Sequence, residues 1–139
     1  MSRNTVLLLT AVILIAFGGY AYFSQPQPAQ PGEGLPIVSV VVPTLTATAQ
    51  AGEIAYNKNC ASCHGKNAAG QEDVAPPLVH RIYEPNHHGD QAFFLAAQNG
   101  VRAHHWPFGN MLPVEGVTQQ EVASIIEYVR ALQRANGIK

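Results

Sequence analysis

The chain has 139 residues, and only 12% of them are charged, about half the fraction that is usual in soluble proteins. The formal net charge of −1 argues against a nucleic-acid-binding protein, which needs a basic patch or stripe. Two cysteines are too few for a disulfide-dense scaffold, and the length allows one domain of ordinary size. An apolar content of 47% therefore indicates either a membrane segment or a large core.

The N-terminal residues 1–23 have the pattern of a membrane anchor. Residues 6–23 carry no charge, and Arg3 is the one charged residue that precedes them. As a helix, this run would span roughly 27 Å, close to the thickness of the bilayer hydrocarbon. A cleavable secretory signal usually has a shorter apolar centre, so we interpret the segment as an uncleaved anchor, with a cleaved signal as the alternative. Arg3 predicts a cytoplasmic N-terminus, which places the remaining chain outside the cytoplasm.

Residues 24–45 separate this segment from the rest of the chain. Residues 24–34 contain three prolines and two glycines, a composition typical of a linker. Residues 35–42 are rich in β-branched side chains, which favours either a short strand or an extended arm lying on the domain. We therefore predict a Pro/Gln-rich linker and an extended arm, followed by one domain at residues 46–139.

Helical signals begin near residue 44 and recur along the domain. Thr44 or Thr46 is a suitable N-cap for a helix that ends near Asn59. A second helix is predicted at residues 90–99, with Asp90 as its N-cap and Gly100 just beyond its end.

The third predicted helix has the clearest pattern. Thr118 and Glu121 have the spacing of a capping box, and Gly137 follows the predicted end. The apolar residues after the box form one helical face at spacings of three and four: Val122, Ile125, Ile126, Val129 and Leu132. No alternating strand pattern occurs after residue 44, so the domain is predicted to be all-α. Its long loops indicate that something other than side chains fills the centre.

The sequence Cys60–Ala61–Ser62–Cys63–His64 is the attachment signature of a c-type haem. One helical turn brings both thiols to one edge of the porphyrin, and the adjacent imidazole of His64 reaches the iron. Three alternatives are a thioredoxin-type redox site, a zinc site and a simple disulfide. The chain lacks the expected βαβ pattern and a second cysteine pair, and the disulfide would close a small, strained ring.

An iron bound by His64 has a sixth position to fill. Met111 is the only methionine after the N-terminal one, and it lies between Gly109 and Pro113 in a polar loop. A neutral, soft thioether favours ferrous iron and raises the reduction potential, so Met111 is the predicted distal ligand. His104 and His105 are rival ligands, and an open sixth site, as in a sensor or peroxidase, is a further alternative.

With these motifs, residues 46–136 resemble a class I cytochrome c. The family has a glycine and an aromatic residue four apart before the first cysteine, as in Gly52 and Tyr56. It also has an aliphatic and an aromatic residue three apart in its C-terminal helix, as in Ile125 and Tyr128. The resemblance implies three to four helices around one covalent haem, with the first and last helices crossing closely at Gly52.

The resemblance also assigns roles to residues after the haem motif. The family's Pro-x-Leu matches Pro76 and Leu78. It implies that the Pro76 carbonyl accepts a hydrogen bond from Nδ1–H of His64 and that Leu78 packs on the haem face. Trp106 is predicted either to donate its indole N–H to a haem propionate or to cover the haem edge as a loop aromatic.

The paired histidines have two interpretations. They are polar loop residues, or they have a specific role: a surface site for copper or zinc, or a hydrogen bond from one histidine in the haem pocket. The pairs are His87–His88 and His104–His105.

The sequence contains no catalytic triad, paired acidic residues for catalysis, phosphate loop or dinucleotide fingerprint. A haem iron with both axial positions filled exchanges single electrons but leaves no place for substrate. The predicted protein is therefore a non-enzymatic electron carrier of the bacterial inner membrane, moving electrons between membrane-bound donor and acceptor proteins. The alternatives are a haem sensor or enzyme subunit with a displaceable sixth ligand, and a thiol-redox or metal-binding module.

Overall fold

The structure is a computed structural model that describes residues 14–20 and 34–139. Residues 14–20 are helical. The other parts of the predicted anchor and most of the predicted linker lie outside the described residues. Among the residues that are described, no helix is both long and apolar enough to cross a lipid bilayer.

From Ala47 onwards the described chain forms a helical domain, the fold class that the sequence predicts. Its α-helices are α1 (Ala47–Asn59), α2 (Ala61–His64), α3 (Asp90–Asn99) and α4 (Gln119–Ala135), with 3₁₀ turns at Lys66–Ala68 and Arg81–Tyr83. Extended pairing within the described residues is limited to two isolated bridges, Gln71 with Ala75 and Val101 with Met111. The all-α prediction is therefore confirmed for this part of the chain.

The predicted caps of the first and last helices are confirmed. The Thr46 hydroxyl oxygen accepts a hydrogen bond from the Ala49 amide at 3.3 Å. At the start of α4, the Glu121 amide donates to the Thr118 hydroxyl at 3.1 Å, and the Thr118 amide donates to Glu121 Oε2 at 2.9 Å. These reciprocal bonds satisfy backbone donors that a helix N-terminus otherwise leaves free.

The predicted cap of α3 was wrong by one residue. Gly89 is the N-cap, with extended backbone angles (φ −61°, ψ 169°), and Asp90 is the first helical residue. The carboxylate of Asp90 does not bond a free amide of its own helix; it accepts a hydrogen bond from Nε of Arg130 at 2.9 Å. A tertiary ion pair therefore replaces the local cap that the sequence predicts.

Helices α1 and α4 cross closely through Gly52. A Cβ atom at this position would overlap the main-chain carbonyl of Ser124, so only glycine fits the crossing. One turn later, the buried rings of Tyr56 and Tyr128 pack with centroids 5.5 Å apart. The close crossing that the family resemblance implies is present, and it forms the centre of the core together with Ile125, Val129 and Leu132.

Residues 35–42 form an extended arm rather than a strand. The amides of Ile37 and Val38 both donate to the carbonyl of Ala69, at 3.2 and 3.1 Å. Further along, the Val41 amide donates to Asn136 Oδ1, and Asn136 Nδ2 donates to the Val41 carbonyl, each at 2.9 Å. The arm is thus bound to the domain at two places, which corresponds to the second of the two predicted forms.

Candidate haem-binding site

The two cysteines flank a single helical turn. Cys60 caps the end of α1, where its amide donates to the Tyr56 carbonyl at 2.8 Å. The amides of Cys63 and His64 then donate to the Cys60 carbonyl at 3.2 and 2.9 Å. This turn brings both thiols and the His64 ring to one cavity.

The cavity has a volume of about 810 Å³, which lies in the range of cofactor and ligand sites. Its walls are mainly apolar and come from the loops before and after α3 as well as from α3 itself. Among the residues predicted to contact haem, it is lined by Cys60, Cys63, His64, Pro76, Leu78, Trp106 and Met111. The structure therefore places every predicted site residue around one cavity. This cavity is the volume not filled by side chains that the long loops of the sequence indicate.

A hydrogen bond to the Pro76 carbonyl orients the His64 ring. Its Nδ1 atom lies 2.8 Å from the carbonyl oxygen of Pro76, the contact that the resemblance implies. Because a carbonyl only accepts, this contact assigns the ring proton to Nδ1 and leaves the lone pair on Nε2. Burial lowers the pKa of His64, against a smaller opposite effect of the Pro76 carbonyl, so the imidazole is neutral and suited to bind a metal.

The cysteine environment argues against thiol-redox chemistry. Burial, together with a smaller effect of the nearby Cys63, raises the pKa of the Cys60 thiol to about 11. Reactive CxxC sites instead lower the pKa of a thiol to stabilise its thiolate. Cys60 is half-buried at the cavity wall and Cys63 is exposed. This arrangement suits thiols that are held for covalent attachment to a group in the cavity.

Met111 is positioned by its backbone. Its amide donates to the Val101 carbonyl at 2.9 Å, and the Val101 amide donates to the Met111 carbonyl at 3.0 Å. Gly109 has φ +87°, a left-handed conformation that closes the loop before the methionine, as the sequence predicts. The half-buried Met111 side chain lines the cavity together with His64. Its ligation of iron stays a prediction.

Trp106 has the polar atom that a haem propionate would need. Its indole Nε1 is buried and has no hydrogen-bond partner among the described residues. The ring lies between His80, at 5.1 Å edge to face, and Phe108, at 5.9 Å in a stack. A buried N–H without a partner is costly, so this donor on a residue that lines the cavity fits an acidic group bound there. The proposed bond to a propionate stays a prediction.

Leu78 is held at the cavity wall through its main chain. Its amide donates to the Ala68 carbonyl at 2.9 Å, and its carbonyl accepts from Gln133 Nε2 at 2.8 Å. The side chain is half-buried and lines the cavity. The main-chain amide and carbonyl of Leu78 are therefore both bonded, and its packing on the haem face stays a prediction.

Sequence reasoning did not identify several other residues that line the cavity, among them Tyr83 and Phe93. Burial raises the pKa of Tyr83 to about 12. The Tyr83 hydroxyl therefore stays protonated at neutral pH. The aromatic residues in and before α3 are the one signal that could have identified part of this wall.

His104 and His105, the rival ligands, also line the cavity, although both are exposed. The Nδ1 atom of His104 lies 2.8 Å from the Arg102 carbonyl. The pKa of His105 is lowered, first by desolvation and then by the neighbouring imidazoles of His104, His88 and His87. Both residues thus lie at the cavity, and replacing each of them tests whether it binds the iron.

The comparison with protein families agrees with this geometry. The model of the family described as Cytochrome c matches residues 49–133, more than half of the chain. No curated protein and no solved structure gives a significant match. The matched region includes the CxxCH motif, the Pro76–Leu78 segment and Met111. On these grounds the chain belongs to the cytochrome c family, and its CxxCH motif carries one covalently attached c-type haem.

Proposed function

We propose that this protein is a membrane-tethered carrier of single electrons whose haem iron is bound by His64 and Met111. The observation that carries the proposal is that these two side chains, from separate segments, line one cavity together with both thiols. When bound, the haem supplies a one-electron Fe(III)/Fe(II) couple. The family's general role in haem-based electron transfer supports this function.

The protein side of the site limits rearrangement during electron transfer. Pro76 fixes the His64 ring through Nδ1, and the bridge to Val101 fixes the main chain of Met111. The cavity wall is largely apolar, which excludes water and disfavours added charge on the metal. A neutral imidazole and a thioether, held in place by these contacts, favour the reduced state and leave no position for a substrate.

The side chains around the cavity mouth favour docking without strong charge steering. Leu112, next to Met111, lines the cavity and is 78% exposed. No lysine, arginine, aspartate or glutamate lines the cavity within the described residues. We propose that donor and acceptor proteins meet this face through apolar contacts, so electron-transfer rates with them should depend only modestly on salt.

The proposed tether is the N-terminal segment of residues 1–23, followed by the linker. A linker raises the local concentration of the domain near membrane-bound partners. The arm at residues 35–42 is bound to the domain through Ala69 and Asn136, which gives the tether a defined point of attachment. We propose that the domain lies on the periplasmic side of a bacterial inner membrane.

An absorption spectrum of the oxidised, full-length protein tests the ligand assignment. We expect a weak long-wavelength band from sulfur-to-iron charge transfer, and its loss in Met111→Ala with a fall in reduction potential. The matched controls are His104→Ala and His105→Ala, which should keep the band. If the band is absent in the unaltered protein and carbon monoxide binds its reduced form readily, an open or displaceable sixth site replaces the carrier function.

Fractionation and intact mass test the tether separately. The full-length protein should sediment with membranes and retain residues 1–23, while its domain is digested by protease added to spheroplasts. A matched variant has residues 1–23 replaced by a cleavable signal, and it should appear in the soluble periplasmic fraction. Recovery of the unaltered chain as a soluble protein without residues 1–23 would contradict the anchor.

A further inference from the structure

Four histidines from two loops meet beside the haem cavity. His87 and His88 precede α3, and His104 and His105 follow it. The His87 ring centroid lies 4.7 Å from that of His88 and 5.2 Å from that of His105, and the His88 and His105 centroids are 5.3 Å apart. One ligand nitrogen from each of these three residues lies within 4.8 Å of the others.

The distance between two of these nitrogens is close to the distance between histidine nitrogens that bind one metal ion. Nε2 of His87 and Nε2 of His105 are 3.3 Å apart. Two imidazole nitrogens bound to one tetrahedral zinc ion at about 2.0–2.1 Å are separated by roughly 3.4 Å. His87 and His105 are exposed, so small side-chain rotations suffice to bring the third nitrogen into the same sphere.

His88 is already oriented as a ligand. Its Nδ1 atom lies 2.6 Å from the Ile82 carbonyl, which assigns the proton to Nδ1 and leaves the lone pair on Nε2. Ligand histidines in metal sites are commonly held by such a bond from the second ring nitrogen to a carbonyl. The His88 main chain is also fixed, because Nη2 of the buried Arg130 donates to its carbonyl at 2.6 Å.

We propose that His87, His88 and His105 form a binding site for a divalent transition-metal ion that prefers imidazole, Zn²⁺ or Cu²⁺, with water at the remaining position. Three neutral nitrogen ligands without a carboxylate disfavour Mg²⁺ and Ca²⁺, which take oxygen ligands. The order of affinities for nitrogen sites places Cu²⁺ above Zn²⁺. Since His88 and His105 also line the haem cavity, the ion binds at the edge of the electron-transfer site.

Metal titration of the haem-loaded, oxidised, full-length protein in detergent tests the site. The protein is purified without a histidine tag, and Zn²⁺ is added in competition with a chromophoric chelator. We expect one Zn²⁺ per chain, with affinity lowered about 100-fold or more in His87→Gln and His105→Gln. His104→Gln is the matched control, because it removes an adjacent exposed imidazole outside the three-residue set. Mg²⁺ should not compete.

Cu²⁺ added to the same ferric protein identifies the ligands directly. Its electron paramagnetic resonance spectrum should show nitrogen hyperfine splitting that is lost in His87→Gln. The haem absorption bands and thermal midpoint are recorded for every variant, which separates this site from the proposed axial ligation. Unchanged Zn²⁺ affinity in both His87→Gln and His105→Gln overturns the proposal. An equal loss in His104→Gln, or displacement of an axial haem ligand in His105→Gln, overturns it as well.

Discussion

Nη2 of Arg130 in α4 donates a hydrogen bond to the main-chain carbonyl of His88 at 2.6 Å. The same side chain bonds to Asp90 Oδ1 through Nε at 2.9 Å and to the Tyr83 carbonyl through Nη1 at 2.6 Å. Arg130 is only 6% exposed, and its guanidinium lies 5.0 Å from the centroid of the Phe93 ring. One arginine thus connects α4 to the loop that forms a wall of the haem cavity.

Loss of this side chain should therefore destabilise the domain strongly. In Arg130→Ala we expect the free energy of unfolding to fall by about 2–3 kcal/mol, because the His88 carbonyl and Gln133 Oε1 lose a charged donor and the Tyr83 carbonyl keeps only Gln133 Nε2. Lys58→Ala is the matched control, since it breaks the exposed ion pair with Glu121 and should cost about 0–1 kcal/mol. Denaturant unfolding of both variants measures the difference, and similar small losses would contradict the structural role of Arg130.

The hydrogen bonds of Arg130 also show which part of the fold could not be predicted from the sequence. Helices α1 and α4 were predictable because caps and apolar periodicity depend on residues within a few positions of each other. The bonds from Arg130 to Tyr83 and His88 join residues 47 and 42 positions apart, and no local pattern contains them. The same contact removes Asp90 from its expected capping role, so the error at α3 has a tertiary cause.

The candidate site likewise has residues that local sequence predicts and residues that only the tertiary structure brings to it. Cys60, Cys63 and His64 were predictable because their chemistry lies in five consecutive residues. Tyr83 and Phe93 were not recognised as cavity residues, because their position depends on how α3 and the loop before it fold onto the rest of the domain. The convergence of His87 with His105 likewise needs the three-dimensional structure, although the paired histidines are visible in the sequence.

The helix crossing at Gly52 should not tolerate a larger residue. In Gly52→Ala the new methyl group would overlap the Ser124 carbonyl, which is main chain and cannot rotate away. Overpacking of this kind costs about 1–3 kcal/mol, even though alanine is the better helix former. Gly89→Ala is a control, because a Cβ there would meet the Pro85 carbonyl only at an ordinary 3.5 Å. Thermal denaturation should rank Gly52→Ala clearly below Gly89→Ala; the reverse order would refute the close crossing.

The capping box of α4 should contribute to stability in a pH-dependent way. The Thr118 backbone amide, followed by the Lys58 and Thr118 side chains, lowers the pKa of Glu121 to about 2 from an ordinary 4.5. Because the folded state lowers this pKa, the contribution is complete above about pH 4.5 and is lost as the pH falls towards 2.

Glu121→Gln isolates this effect, since glutamine retains the geometry of a capping box but does not titrate. We expect the thermal midpoint of the unaltered protein to fall more steeply between pH 4.5 and 2 than that of the variant. Glu127→Gln, an exposed position on the same helix, is the control and should leave the acid dependence unchanged. Identical slopes for the unaltered protein and Glu121→Gln would disprove the assignment.

The pair formed by Val41 and Asn136 should hold the arm on the domain. The Asn136 amide group makes both hydrogen bonds that a neighbouring strand would make with Val41, each at 2.9 Å. In Asn136→Ala we expect hydrogen exchange of the Val41 amide to accelerate roughly 5- to 30-fold, which corresponds to about 1–2 kcal/mol for the two lost hydrogen bonds. The Ile37 and Val38 amides should exchange as before, because their acceptor is the Ala69 carbonyl.

Arg134→Ala, an exposed change near the end of α4, provides the control. Equal acceleration at Val41, Ile37 and Val38 would mean that the arm opens as one unit, and no acceleration at Val41 would mean that Asn136 does not hold it.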